Sequence, residues 1–84
     1  MASLRYEGVL FKVFPEDHEP PHVHALIAEA SVILELRPGR TVALAKRKDA
    51  ILPPNAKKSD VKRALDVAAK YFDELVELWE KMHG

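Results

Sequence analysis

Hydrophobic and polar positions follow two rhythms along the chain. Val9, Phe11 and Val13 alternate with Leu10, Lys12 and Phe14. Period two with β-branched and aromatic residues predicts a strand, drawn over residues 4–14, with Gly8 as a bulge or bend within it. Pro15 ends it. Residues 16–21 (E-D-H-E-P-P) form a loop, because two adjacent prolines fit neither a helix interior nor a central ladder. Residues 22–28 and 32–37 read as the second and third strands, joined by a tight turn at 29–31. Pro38-Gly39 is a turn dipeptide, and residues 41–45 make a short fourth strand. Loops this short join antiparallel neighbours, so the strands form a meander. Residues 46–58 are read as a long ordered loop in which Ile51 and Leu52 plug the edge of the core.

Over residues 59–83 the rhythm becomes helical. Val61, Leu65, Ala68, Phe72, Leu75, Trp79 and Met82 recur at spacings of three and four, one apolar stripe on one helix face. Ser59 is placed as the N-cap and Asp60 in the first turn. The predicted fold is α+β: a four-stranded antiparallel β-meander packed against one long C-terminal helix. A helix of that length runs about 36 Å, whereas a six-residue strand spans about 20 Å. The helix either crosses the sheet diagonally, with the loop at Ile51 filling the gap, or overhangs it. An overhang bearing Leu78, Trp79 and Met82 would be an apolar patch needing cover, and these residues are the candidate interface with a second copy or a partner.

Composition narrows the class. At 84 residues with 48% hydrophobic and 31% charged positions, the chain reads as one domain, residues 1–84, and not as a disordered tail. Apolar runs fall far short of the roughly 18 residues of a membrane span. No basic-then-apolar leader is visible, so a cytoplasmic location is expected. Cysteine is absent, which excludes disulfides and thiolate metal sites.

Candidate chemistry concentrates in residues 17–24, D-H-E-P-P-H-V-H, which hold three of the four histidines. His18-Glu19-Pro20-Pro21-His22 matches the H-E-x-x-H zinc-protease pattern letter for letter. That pattern works only on a helix, and Pro20 and Pro21 forbid one. A different metal argument survives. His22 and His24 stand two apart on a strand and project from one face, where two imidazoles can chelate a divalent ion such as zinc. His18 or Asp17 from the adjoining loop would add a third ligand. His22 and His24 are also the candidate catalytic residues, as general acid–base groups. The alternative is structural: one histidine packs at the sheet edge and another caps loop carbonyls.

Residues 19–25, E-P-P-H-V-H-A, resemble the signature of a family of small bacterial and archaeal proteins catalogued as a domain of unknown function (number four-one-six-zero). The aromatic-rich strand before the motif, the hairpin after it, and Glu74-Leu75-Val76-Glu77-Leu78-Trp79 in the helix agree with that family. The resemblance implies roles for Pro20, Pro21, His22, His24 and Trp79 without saying which act chemically. It also implies membership of small two-gene, toxin–antitoxin-like cassettes, an analogy without a mechanism. The connection between the third strand and the helix is longer and more basic here than the family's usual one.

The formal net charge of zero is a cancellation. Residues 36–63 carry nine basic residues against Asp49 and Asp60, a net of +7, and the rest of the chain carries −7. Arg37, Arg40, Lys46, Arg47 and Lys48 are candidates for contacting phosphates of a nucleic acid, or an acidic partner. The helix looks charged against its own dipole, with Lys62 and Arg63 early and Asp73, Glu74, Glu77 and Glu80 late. Together these readings point to a non-catalytic interaction module, a homo-oligomer or one half of a toxin–antitoxin-like pair. The alternative is a small ribonuclease-like hydrolase using His18, His22 and His24, with or without a divalent metal. That alternative requires the histidine face to open onto a groove flanked by Arg37, Arg40 or Lys46, Arg47 and Lys48.

Overall fold

The computed structural model describes residues 2–83; Met1 and Gly84, the ends of the expected domain, lie outside the described residues. The elements are β1 (Ala2–Tyr6), β2 (Val9–Val13), β3 (His22–Ile27), β4 (Ala30–Arg37), β5 (Thr41–Leu44), β6 (Ile51–Leu52), α1 (Lys58–Lys70) and α2 (Phe72–His83). The six strands pair antiparallel in one sheet of order β1-β2-β3-β4-β5, with β6 beside β4. The α+β meander is therefore present, with six strands instead of four and two helical segments instead of one.

The extra strand at the start comes from a turn. Glu7 and Gly8 both have positive φ (49° and 83°), the requirement of a primed two-residue hairpin turn that suits twisted strands. The expected single strand over residues 4–14 is thus a hairpin, with Tyr6 opposite Val9 and Gly8 at its tip. The next turn falls at Ala28-Glu29, one residue earlier than expected, with Ala28 at φ 51° and Ile27 opposite Ala30. β6 arises because two segments share the outer edge of β4. β5 pairs with residues 34–37 of β4 and β6 with Ser31 and Val32. Between them Ile33 donates its N–H to Ala50 O (2.8 Å) and accepts from Ala45 N–H (3.0 Å), so residues 46–49 loop out from a continuous edge. Ile51 packs against the core as expected, but Leu52 is exposed.

The helix begins at Lys58, not Ser59. Lys57 is the extended N-cap residue, and its carbonyl accepts the N–H groups of Asp60 and Val61. The stripe bends at Tyr71 (φ −108°, ψ 30°), while Tyr71 N–H to Val67 O and Leu75 N–H to Tyr71 O keep the helical bonding across the bend. α1 lies over β3 to β5, and α2 over β1 to β4. The bend removes the expected overhang: Leu78 and Trp79 are each 5% exposed against the molecule's own sheet, and Met82 is half-buried. Within α2 the charges nearest the ends follow the helix dipole, while Lys62 and Arg63 stay near the start of α1. Asp73 and Glu74 open α2 while Lys81 and His83 close it, the favourable order. Among the described residues no helix is long and apolar enough to cross a membrane.

The strand alternation sorts the sheet into two faces. Val9, Phe11, Val13, Val23, Ala25, Val32 and Leu34 bury against Ala64, Val67, Ala68, Phe72 and Leu75 of the helices. Lys12, His24 and Ile33 stand side by side in register, as do His22 and Glu35, and belong to the opposite face. The chemistry sits there, at the end of β3.

Candidate metal centre

Residues 14–21 form a short loop that turns back on the sheet. Asp17 N–H donates to Phe14 O (3.1 Å), and Phe14 N–H donates to Asp17 Oδ2 (3.0 Å). This reciprocal pair aims the Asp17 carboxylate at the first residues of β3. Pro21 O accepts Leu36 N–H (2.9 Å), which fastens the start of β3 to β4.

His22 is 7% exposed. Its Nδ1 lies 3.0 Å from Pro20 O. A carbonyl only accepts, so Nδ1 carries the proton and, in the neutral ring, Nε2 presents a lone pair. That Nε2 is buried and has no hydrogen-bond partner, and it faces Asp17 Oδ1 at 3.5 Å. His24 Nε2 lies 3.3 Å from Asp17 Oδ2. One ligand atom from each of Asp17, His22 and His24 can be chosen so that all three lie within 4.8 Å of one another.

Two acceptors facing each other in a buried place are unfavourable unless a cation lies between them. A proton on His22 or a metal ion would each relieve the conflict. The donor set fits a metal: two imidazoles and one carboxylate suit zinc and related divalent ions. Ligands about 2.0–2.1 Å from a tetrahedral ion stand about 3.3 Å apart, close to the spacings from Asp17 to both histidines. The Pro20 carbonyl on His22 Nδ1 is the outer contact that metal-bound histidines generally make to fix ring and tautomer. Burial pushes the Asp17 carboxyl up, but the Phe14 N–H and the His24 and His22 rings outweigh it and hold it below its ordinary value of 3.8. Asp17 is therefore an anion at neutral pH.

The centre borders a cleft of about 420 Å³ whose walls include Asp17, His18, His22, Glu35, Lys46 and Arg47. The loop at 46–49 brings Lys46 and Arg47 into the lining of the same cleft as His22. Arg47 holds Asp49 through two bonds (2.9 and 3.0 Å), and Arg37 holds Glu35 (2.8 Å). His18 is exposed on the cleft wall and does not join the three-residue group. Arg40 is elsewhere: it pairs with Asp73 at 2.7 Å beside α2 and lines a separate groove with Trp79 and His83. Lys48 is exposed and outside the cleft lining. Trp79, from the helix side and outside the cleft lining, reaches the end of β3, where its ring lies 5.3 Å from that of His22.

The sequence reading missed Glu35, Asp49 and the Pro20 carbonyl. Glu35 was within reach of it: the β3–β4 hairpin, in correct register, sets Glu35 opposite His22. Asp49 and the carbonyl depend on loop geometry, which carries no periodicity.

Residues 8–80 match the family described as Domain of unknown function (DUF4160), and the chain belongs to it. No curated protein and no solved structure matches the chain.

Proposed function

We propose that the chain is a divalent-metal protein, its ion held by Asp17, His22 and His24 and open to the cleft beside it. The observation that carries this reading is the buried, partnerless Nε2 of His22 facing the Asp17 carboxylate. Three protein ligands with a free position are the pattern of catalytic rather than structural zinc, and the bound ion would supply Lewis acidity and water activation for hydrolysis. Phe14 N–H orients Asp17, Pro20 O orients His22, and Trp79 shields one side of the His22 ring. This is the metal-assisted form of the small-hydrolase reading.

The test is zinc titration followed by calorimetry and by fluorescence of Trp79, the single tryptophan. Binding of one ion per chain at micromolar affinity or better, with a change in indole emission, is expected. The His22→Ala, His24→Ala double variant should lose that binding. Unchanged affinity in the double variant, or no binding by the wild type, overturns the proposal and leaves a protonated His22–Asp17 pair. Partnership in a toxin–antitoxin-like pair rests on the family resemblance and the uneven charge; of the expected interface, Leu78 and Trp79 are buried against the chain's own sheet and Met82 is half-buried.

A further inference from the structure

We infer that the cleft beside Asp17 and His22 receives the phosphate group of a small phosphate ester, held between the metal and Lys46. The inference rests on the metal reading and adds to it the class of substrate.

Charge around the cleft separates into spent and unspent groups. Arg47 is neutralised by Asp49, and Glu35 by Arg37. Elsewhere Arg40, Lys62 and Lys70 are spent on Asp73, Asp66 and Glu7. Lys46 makes no ion pair among the described residues, yet it stands in the wall of the same cleft as Asp17 and His22. A divalent ion on the single carboxylate of the triad leaves one positive charge there, and Lys46, in the lining of the same cleft, adds a second. Two separated positive centres around one cavity match a phosphate group, whose oxygens can be shared between a metal and an ammonium. Without the ion, that side of the cleft has no divalent centre to share a phosphate oxygen with Lys46, so the ion must come first.

The remaining carboxylates limit size. Glu16 and Glu19 are exposed and belong to the same cleft lining. Their two negative charges at the cleft repel a long polyanionic strand more than a single phosphate, because each further phosphate adds to the repulsion. A volume of about 420 Å³ holds a phosphate with a modest organic group. These features favour a small ester over a nucleic-acid backbone, the other source of the same chemistry.

The experiment titrates phenyl phosphate into zinc-loaded protein, monitored by phosphorus NMR, with zinc affinity measured on the same samples. A single-stranded RNA oligomer forms a second arm. Phenyl phosphate should bind the zinc-loaded chain and not the zinc-free chain. Lys46→Ala should weaken it by at least roughly tenfold, the effect of one charge-assisted hydrogen bond, with zinc affinity unchanged. Equal phosphate affinity in Lys46→Ala, or none with zinc bound, overturns this inference while the metal reading stands. RNA binding tighter than phenyl phosphate, and dependent on Lys46, overturns the small-ester assignment. Failure to bind zinc removes the metal reading and this inference with it.

Discussion

Two carboxylates in this molecule gather side chains from distant parts of the chain, and they do so in opposite ways. Glu7, at the tip of the β1–β2 hairpin, accepts Lys70 Nζ (2.6 Å) and Tyr71 Oη (2.9 Å), and its backbone carbonyl accepts Arg63 (2.8 Å). Tyr71 also stacks flat on Tyr6, with ring centroids 4.0 Å apart. Every group aimed at Glu7 donates, and the cluster is exposed. It latches the hairpin to the bend between α1 and α2. Asp17 instead meets two imidazole nitrogens, one of which, the buried Nε2 of His22, has no hydrogen-bond partner. The first cluster is electrostatically complete and serves the fold. The second is incomplete as folded, and groups left in such conflict mark functional sites more often than structural ones.

The largest way to test this contrast is to remove the buried core ring that lies against His22. Trp79→Ala should cost about 3–5 kcal/mol of stability, as truncating a buried aromatic does, read from urea unfolding with oligomeric state followed by sedimentation. A small loss of stability together with a shift from dimer to monomer would restore the interface role first expected for Leu78, Trp79 and Met82.

Next in size is the effect of the ion itself. Zinc at about one hundred times its dissociation constant should stabilise the wild type by about 2.7 kcal/mol, raising Tm by about 10–20 °C for a domain of this size. Glu7→Gln should keep that rise in full and Asp17→Asn should lose it. A rise that survives Asp17→Asn would show the ion bound elsewhere.

The smallest effect belongs to the latch. Hydrogen bonds from Lys70 and Tyr71 hold Glu7 below its ordinary 4.5, while the bonds to Glu7 raise Lys70 above 10.5 and Tyr71 above 10.0. A lowered carboxylate stabilises the fold above its unfolded value and stops doing so as pH falls through the folded one. A raised lysine or tyrosine does so below its unfolded value and stops as pH rises through the folded one. The latch therefore contributes between roughly pH 4.5 and 10. Glu7→Gln should flatten both limbs slightly, and added salt should shrink the difference, since all three groups are exposed. Steep limbs in Glu7→Gln would place the titrating groups elsewhere.

The apolar rhythms carried most of the architecture. Alternation at Val9, Phe11 and Val13 and the stripe from Val61 to Met82 record which atoms leave water, and burial follows them. The shared face of the two imidazoles was also legible, because His22 and His24 stand two positions apart on a strand. What the pattern does not encode is where the chain reverses or bends. Glu7 and Ala28 occupy left-handed positions without the usual Asn or Gly signal. A stripe spaced by threes and fours is the same for a straight and a bent helix, and only the Tyr6–Tyr71 stack and the Glu7 latch, made across more than sixty residues, decide between them.

The same division holds at the site. Residue types and local spacing determined that Asp17, His18, His22 and His24 could bind an ion, since ligand chemistry and strand parity are local properties. Tertiary structure alone decided that Asp17 joins the histidines and His18 does not, because the reciprocal bonds with Phe14 turn one carboxylate inward. It alone decided that Lys46 and Arg47 share their cleft while Arg40 does not, because that depends on the edge of β4 being divided between β5 and β6. Contacts between loops far apart in sequence are set by the packing of the elements between them, and no short-range pattern records that.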